Sequence, residues 1–295
     1  MNHTPKYLIE NKNKYPNEPA LSEKIDGVWS TLTWSEFYEL VRSISKSFIS
    51  FGIDKNDKIS IYSYNRIEWN ACYLATQLTN SVAVGVYHTS SSEEVEWVVG
   101  NSDSKIIFVG NNPNDNDEND RMPIHRLNKV LKNLDKLEAV VIMDDTPAID
   151  HDKVITWKEF LNKGKDIDEK QVLERADNID LNDTSSIIYT SGTTGHPKGV
   201  QLTNRNFAAA NESIDGIVPF EEGSTNLVCM PGYHVAGTNW GIWGYIFGCR
   251  NIIIADIDPG LILELIEQEK IRSTLFCSKK ITFGSTIAAY LPFPL

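Results

Sequence analysis

The sequence predicts a layered α/β fold with largely parallel sheets and helices on both faces. Two observations carry this. Helical and strand periodicities alternate almost throughout the chain, with no internal repeat. Several helices announce themselves by a hydroxyl residue followed three positions later by an acid, the capping-box pattern.

Thr33-Trp-Ser-Glu36 is such a box, and Phe37, Leu40, Val41, Ile44 and Phe48 follow at helical spacing up to a stop at Gly52. Lys58–Tyr62 is a strand, Ile67–Leu78 a helix and Val82–Val86 a strand. Ser91-x-x-Glu94 opens a helix ending near Gly100, and Lys105–Val109 is the next strand. Asn111–Asp120, rich in Asn, Asp, Glu and Pro, is a solvated loop. A helix and the strand Ala139–Met143 follow, then a short helix capped by Thr156 and Glu159. Asn162–Thr184 is polar and acidic and wraps the surface; a subdomain boundary falls within it. Ser186–Tyr189 and Val200–Leu202 are short strands flanking a glycine-rich loop. Asn204 caps a helix to about Asp215, Asn226–Met230 and Asn251–Ala255 are strands, and Asp258-Pro259 starts a helix to about Lys270.

At 295 residues the chain buries a sizeable core. Its 41% hydrophobic and 23% charged content is that of a soluble globular protein. A formal net charge of −12 argues against non-specific nucleic-acid binding, which needs basic surface, and leaves room for a local basic pocket. Cys72, Cys229, Cys249 and Cys277 form no Cys-x-x-Cys, so neither a disulfide framework nor a zinc site follows; reduced, buried thiols in a cytoplasmic protein are expected. No signal pattern opens the chain, and its most apolar stretch, Trp240–Ile257, is too broken to span a membrane. Peripheral membrane contact is compatible with this.

Residues Tyr189-Thr-Ser-Gly-Thr-Thr-Gly-His-Pro-Lys-Gly-Val200 carry the chemistry. Glycines let backbone N–H groups approach phosphate oxygens and form a concave nest, hydroxyls add neutral donors, and Lys198 adds a full positive charge. The common P-loop runs into a helix; here Pro197 precedes the lysine and a strand follows it.

All twelve positions resemble the phosphate-binding signature of the adenylate-forming superfamily, which includes acyl-CoA synthetases, aryl-CoA ligases, luciferases and peptide-synthetase adenylation domains. His196 occupies its variable position. The resemblance runs from about Leu32 to Phe276 and is nearest to long-chain fatty-acyl-CoA synthetases. Leu32-Thr-Trp-Ser-Glu-Phe37 is similar to an early Thr-Tyr-x-Glu-Leu element. Val86-Tyr-His-Thr-Ser-Ser-Ser-Glu-Glu-Val95 is similar to a Tyr-Pro-Thr-Ser-Ser-Pro-Glu-Glu stretch, with His88 and Ser92 in place of prolines. Met230-Pro-Gly-Tyr-His-Val-Ala-Gly resembles a Pro-Leu-Phe-His-x-x-Gly element.

The resemblance implies ATP-dependent activation of a carboxylic acid to an acyl-adenylate and then to acyl-CoA, with ATP, Mg2+ and coenzyme A as cofactors and a fatty acid as the small-molecule partner. It implies phosphate binding by Thr190, Ser191, Gly192, Thr193, Thr194, Gly195, Lys198 and Gly199, with Lys198 and Thr190 as the catalytic pair taking up charge on the leaving pyrophosphate. His234, Tyr233 and Trp240 are the expected substrate pocket, although the aromatic segment Trp240–Phe247 also reads as core. Peptide-synthetase domains carry an acid where Val235-Ala-Gly237 stands, so a plain carboxylic acid is favoured over an amino acid.

The family also uses an aromatic-Thr-Glu segment that helps hold magnesium, a Thr-Gly-Asp segment for the ribose and a C-terminal domain with a second lysine. These 295 residues contain none of the three. The expectation is therefore a partial AMP-binding N-terminal domain over 1–276, a divergent tail over 277–295, no metal ligands, no C-terminal domain, and an inactive fragment of a truncated synthetase. Two readings stand beside it: a non-catalytic nucleotide- or pyrophosphate-binding remnant or half of a split enzyme, and an aryl-CoA ligase or luciferase-like adenylating enzyme.

Overall fold

The computed structural model describes residues 3–112, 122–144, 149–190, 195–214, 217–218, 220–277 and 286–290, the last segment and residues 276–277 by backbone only. The described elements run α1 (Thr4–Lys14), β1 (Pro19–Ile25), β2 (Val28–Thr33), α2 (Trp34–Ser50), β3 (Lys58–Ser63), α3 (Ile67–Leu78), β4 (Val82–Val86), α4 (Ser92–Asn101), β5 (Ser104–Gly110), α5 (Pro123–Val130), β6 (Ala139–Ile142) and β7 (Val154–Thr156). They continue with α6 (Trp157–Lys163), α7 (Glu169–Asp177), β8 (Thr184–Thr190), β9 (Lys198–Thr203), α8 (Asn204–Ser213), β10 (Thr225–Val228), α9 (Val235–Ile246), β11 (Arg250–Ile253), α10 (Pro259–Gln268), β12 (Ser273–Cys277) and β13 (Thr286–Tyr290).

The strands form two sheets. The larger has the order β7-β6-β5-β3-β4-β8-β9 and is parallel except for its edge strand β9. The smaller has the order β13-β12-β10-β11-β1-β2, with a parallel centre and an antiparallel strand at each edge. Parallel strands need crossovers, and the helices supply them on both faces.

Side-chain alternation along the central strands sorts the chain into layers. In β5, Ile106 and Phe108 enter one core while Ile107 and Val109 enter another; in β6, Ala139 and Val141 oppose Val140 and Ile142 in the same way. The second core is closed by Val95, Val98 and Val99 of α4 and Ile124 and Leu127 of α5. The first is shared: α2, α3 and α9 pack in it between the two sheets. On the far face of the smaller sheet, Leu227 and Ile252 meet Ile262 and Leu265 of α10. The result is five layers, helix–sheet–helix–sheet–helix.

The capping boxes form as the sequence requires. Thr33 with Glu36, Ser91 with Glu94 and Thr156 with Glu159 each exchange side-chain and backbone hydrogen bonds. At α8 the cap is Thr203, paired with Asn206, rather than the expected Asn204, which becomes the first helical residue. The polar stretch 162–184, expected to wrap the surface, holds α7, capped by Asp168 and fastened to α2 by the Arg42–Glu169 ion pair at 2.7 Å. The hairpin β1–β2 and helix α1 have no counterpart in the sequence expectations.

Cys72, Cys229 and Cys249 are buried and unpaired, and burial raises all three thiols, Cys249 to about 11. No described helix is long and apolar enough to cross a membrane.

Glu23 of β1 reaches across to α3, where its carboxylate accepts the first helical N–H, from Ile67, at 3.0 Å. Burial, and after it the nearby Glu68, pushes this carboxyl up to about 7 despite that bond and Arg66. The folded chain therefore keeps the proton to higher pH than the unfolded chain, whose glutamate titrates near 4.5. This contribution to stability is complete below the unfolded value and is lost as pH rises through 7. Urea unfolding of Glu23→Gln against the parent checks it. Between pH 5 and pH 8 the difference in unfolding free energy should move in the variant's favour by roughly 2–3 kcal/mol. A difference that does not change with pH refutes it.

Candidate active site

The glycine-rich loop sits where β8 ends and β9 begins, beyond the carboxyl end of its parallel neighbour β4. Crevices outside the carboxyl ends of parallel strands are where open α/β sheets bind ligands. The two arms pair antiparallel, Thr190 with Lys198 and Tyr189 with Gly199. This places the Thr190 and Lys198 side chains, both exposed, side by side at the mouth of the loop. Ser191, Gly192, Thr193 and Thr194 lie outside the described residues. Gly195 has φ +101°, a backbone region L side chains rarely adopt. Gly199 lies under the Tyr189 ring, and a Cβ there would stand 2.9 Å from Ile187 and 3.1 Å from Tyr189.

Helix α4 supports the loop from the side. The Trp97 indole N–H donates to the carbonyl of Pro197 at 2.9 Å, and the His196 ring stacks on Trp97 at 4.2 Å and 15°. The Tyr189 hydroxyl donates to Asn101 Oδ1 at 2.7 Å. A cavity of about 330 Å³ opens beside the loop, lined by Gly85, Tyr87, Ser90, Glu94, Tyr189 and Pro197 among others.

The second element of the site is the turn after β10. Asn65, buried at the end of β3, donates from its amide to the Met230 carbonyl at 3.0 Å and accepts the Gly232 N–H at 2.8 Å. The Thr238 hydroxyl donates to the Gly232 carbonyl from inside the turn. So held, Tyr233 passes directly over β4: a Cβ on Gly85 would lie 2.8 Å from the Tyr233 Cα. The Tyr233 ring packs on Tyr87 at 4.3 Å and near His88 at 5.4 Å, and His88 stacks on Tyr64 at 4.1 Å. Burial raises the Tyr233 phenol well above its usual value and lowers His88, which stays neutral near pH 7.

His234 is the N-cap of α9. Its Nδ1 accepts the Ala236 N–H at 3.2 Å, so a neutral imidazole carries its proton on Nε2, leaving an outward donor on an exposed ring. That donor suits an anion such as a carboxylate. Trp240 is placed differently. It is 1% exposed, packed on Phe220 at 5.0 Å and Trp243 at 5.8 Å inside the central layer, and does not line the cavity beside the loop.

The structure thus sets Thr190 and Lys198 on paired strands at the loop mouth, and places Tyr233 against Gly85 and Tyr87, two residues of the cavity beside that loop. Among the described residues no group of three or more His, Cys, Asp or Glu side chains is disposed to hold a metal ion. The supporting residues Asn65, Gly85, Trp97 and Asn101 carried no signal in the sequence, because each acts through a partner more than 85 positions away.

Comparison with known proteins decides the family. The model of the AMP-binding enzyme family matches residues 8–278. The chain belongs to the AMP-binding enzyme family. Long-chain-fatty-acid–CoA ligase ACSBG2 of Mus musculus is 30% identical over 247 residues, covering 81% of this chain and 35% of that protein. ACSBG2 of Xenopus laevis is 29% identical over 238 residues, 79% of this chain and 31% of that protein. The chain spans about a third of the length of these relatives. Among solved structures, the N-terminal domain of FACL13 from Mycobacterium tuberculosis superposes with a TM-score of 0.72 at 20% identity, over 92% of this chain and 62% of that one. A red-emitting luciferase from Phrixothrix hirtus gives 0.75 at 20% identity, over 92% and 50%. At that identity these establish the fold, the N-terminal architecture of adenylate-forming enzymes.

Asn65 is the test of how this member of the AMP-binding enzyme family holds the turn after β10. Asn65→Ala strands the buried Met230 carbonyl and Gly232 N–H, each worth about 1–3 kcal/mol. Chemical denaturation should show a loss of roughly 2–5 kcal/mol; a loss below about half a kcal/mol would mean the turn holds itself.

Proposed function

We propose that this chain supplies the phosphate-binding and acid-binding halves of an ATP-dependent acid–thiol ligase acting on a fatty acid. Its family and its long-chain-fatty-acid–CoA ligase relatives support the reaction class. The observation that carries the reading is the pairing of Thr190 with Lys198 at the loop mouth; His234, the N-cap of α9 in the turn that passes over β4, is the group we assign to the acid.

In this reading a carboxylate oxygen attacks the α-phosphorus of ATP, the bond from that phosphorus to the bridging oxygen breaks, and pyrophosphate leaves. Charge accumulates on the β- and γ-phosphates. The Lys198 cation, the Thr190 hydroxyl and, by the sequence signature, the donors of 191–195 take it up. This is electrostatic stabilisation of a leaving group, with no covalent intermediate on the protein. The Nε2–H of His234 holds the acid, and the Tyr87–Tyr233 pair walls that side; Trp240, buried among Phe220 and Trp243, takes no part in the wall. Coenzyme A serves as the acceptor in the complete reaction. Magnesium would enter with ATP, whose phosphates supply much of its coordination in such reactions. A plain acid is favoured over an amino acid because Val235, Ala236 and Gly237 offer no carboxylate to an ammonium group.

Because these 295 residues hold no aromatic-Thr-Glu or Thr-Gly-Asp segment, the polypeptide by itself should bind nucleotide without turning it over. Each missing preorganised group is worth on the order of a hundredfold in rate. Pyrophosphate exchange with a fatty acid should therefore stay at background, and robust exchange would overturn this. Calorimetric titration with ATP should show binding that Lys198→Ala weakens about tenfold or more, the scale of one charge-assisted contact. Equal affinity in the variant would remove Lys198 from the phosphate site.

A further inference from the structure

We infer that Trp97 is a positioning residue for the phosphate loop, acting with His196 as a clamp that fixes the arm leading into Lys198. The inference rests on the reading of residues 189–200 as a pyrophosphate grip and extends it to a helix outside the loop.

Helix α4 is itself well fixed. Its Ser91–Glu94 box secures the start, and Val95, Val98 and Val99 are buried in the core under the larger sheet. Trp97 and Asn101 project from this anchored helix toward the two arms of the loop, and each takes one. Asn101 holds the ascending arm through the Tyr189 hydroxyl. Trp97 holds the descending arm twice, by its indole N–H to the Pro197 carbonyl and by its face to the His196 ring.

The descending arm needs such support. Pro197 has no N–H to give to a ladder, Gly195 before it is in a left-handed conformation, and pairing with β8 begins only at Lys198. Residues 195–197 are thus outside the sheet, and their described fastening is to Trp97. Lys198 follows immediately and is exposed, so its backbone position is set jointly by the first ladder pair and by the clamp. The stack also belongs to this chain in particular, because His196 occupies the variable position of the signature. A preorganised charge binds phosphate better than one that must be ordered first.

The test uses the whole chain with Trp97→Ala, Trp97→Phe and the Lys198→Ala control. Three quantities are read: affinity for ATP and for inorganic pyrophosphate, melting temperature, and the rate of trypsin cleavage after Lys198 relative to other exposed lysines. Trp97→Ala should weaken both ligands about three- to tenfold, the range of one aromatic stack. It should also speed cleavage after Lys198 several-fold and leave the melting temperature within about two degrees of the parent. Trp97→Phe keeps a stacking face and should recover most of both losses. A Trp97→Ala chain that binds and is cut like the parent overturns the inference, as does one whose melting falls and whose cleavage rises at every lysine alike. A parent chain that binds neither ATP nor pyrophosphate overturns the phosphate-loop reading and takes the inference with it. Binding lost in Lys198→Ala but kept in Trp97→Ala overturns the inference alone.

Discussion

The site depends on one close approach. Strand β4 of the larger sheet runs beneath the turn that follows β10 of the smaller one, with the Tyr233 backbone where a side chain on Gly85 would be. Only a residue without Cβ allows the two sheets to meet there. Asn65 fixes the approach by satisfying both a donor and an acceptor of the same turn, which a buried loop of this kind would otherwise leave unmade. The space left in the seam, about 10 Å³ walled by Trp69, Tyr73 and Tyr233, has room for a single water at most. Elsewhere the sheets are joined through helices, by Glu23 at the start of α3 and by the Tyr245 hydroxyl on Asn70 at 2.9 Å.

Two short segments of different chemistry are held near this seam. The arms of the loop between β8 and β9 carry Thr190 and Lys198 and are braced from α4. The turn before α9 offers an imidazole whose proton is directed outward by its own capping bond. Each is a short irregular segment held by regular elements, the arrangement that lets a loop keep a defined geometry.

What was legible in the sequence follows from how local each cause is. The boxes at Thr33, Ser91 and Thr156 were readable because both partners lie within four residues. The strands of both sheet centres were readable because burial on two faces makes them short apolar runs. Helix α1 was missed because it is polar and is held from outside, by Leu8 in the core and by Asn11 donating to the Tyr245 carbonyl. Helix α7 buries only Val172 and Ala176, too little to imprint a pattern. Helix α9 was read as an aromatic run because its glycines mask the helical period. The β1–β2 hairpin did carry a signal. Asp26-Gly27 is a favoured two-residue turn, and both residues have positive φ. The two strands that flank the loop were legible, while its support was not, since nothing in positions 189–200 points to Trp97 or Asn101.

On the proposed reading, a chain of formal charge −12 would hold a polyphosphate by geometry rather than by overall field. At physiological ionic strength charges more than about 8 Å away are largely screened, so the acids scattered over the surface neither help nor greatly oppose a bound anion. On the proposed reading what counts is the first few ångströms, where preorganised N–H groups, hydroxyls and a lysine act on the anion directly. Glu94, the acid on the cavity wall, is engaged with the Ser91 backbone through its capping box at 2.9 Å. The local balance therefore rests on Lys198 and on how firmly its backbone is held. If the loop binds phosphate as proposed, the site is sensitive to the Trp97 contacts on Pro197 and His196, and a residue with no charge of its own then governs the binding of a highly charged ligand.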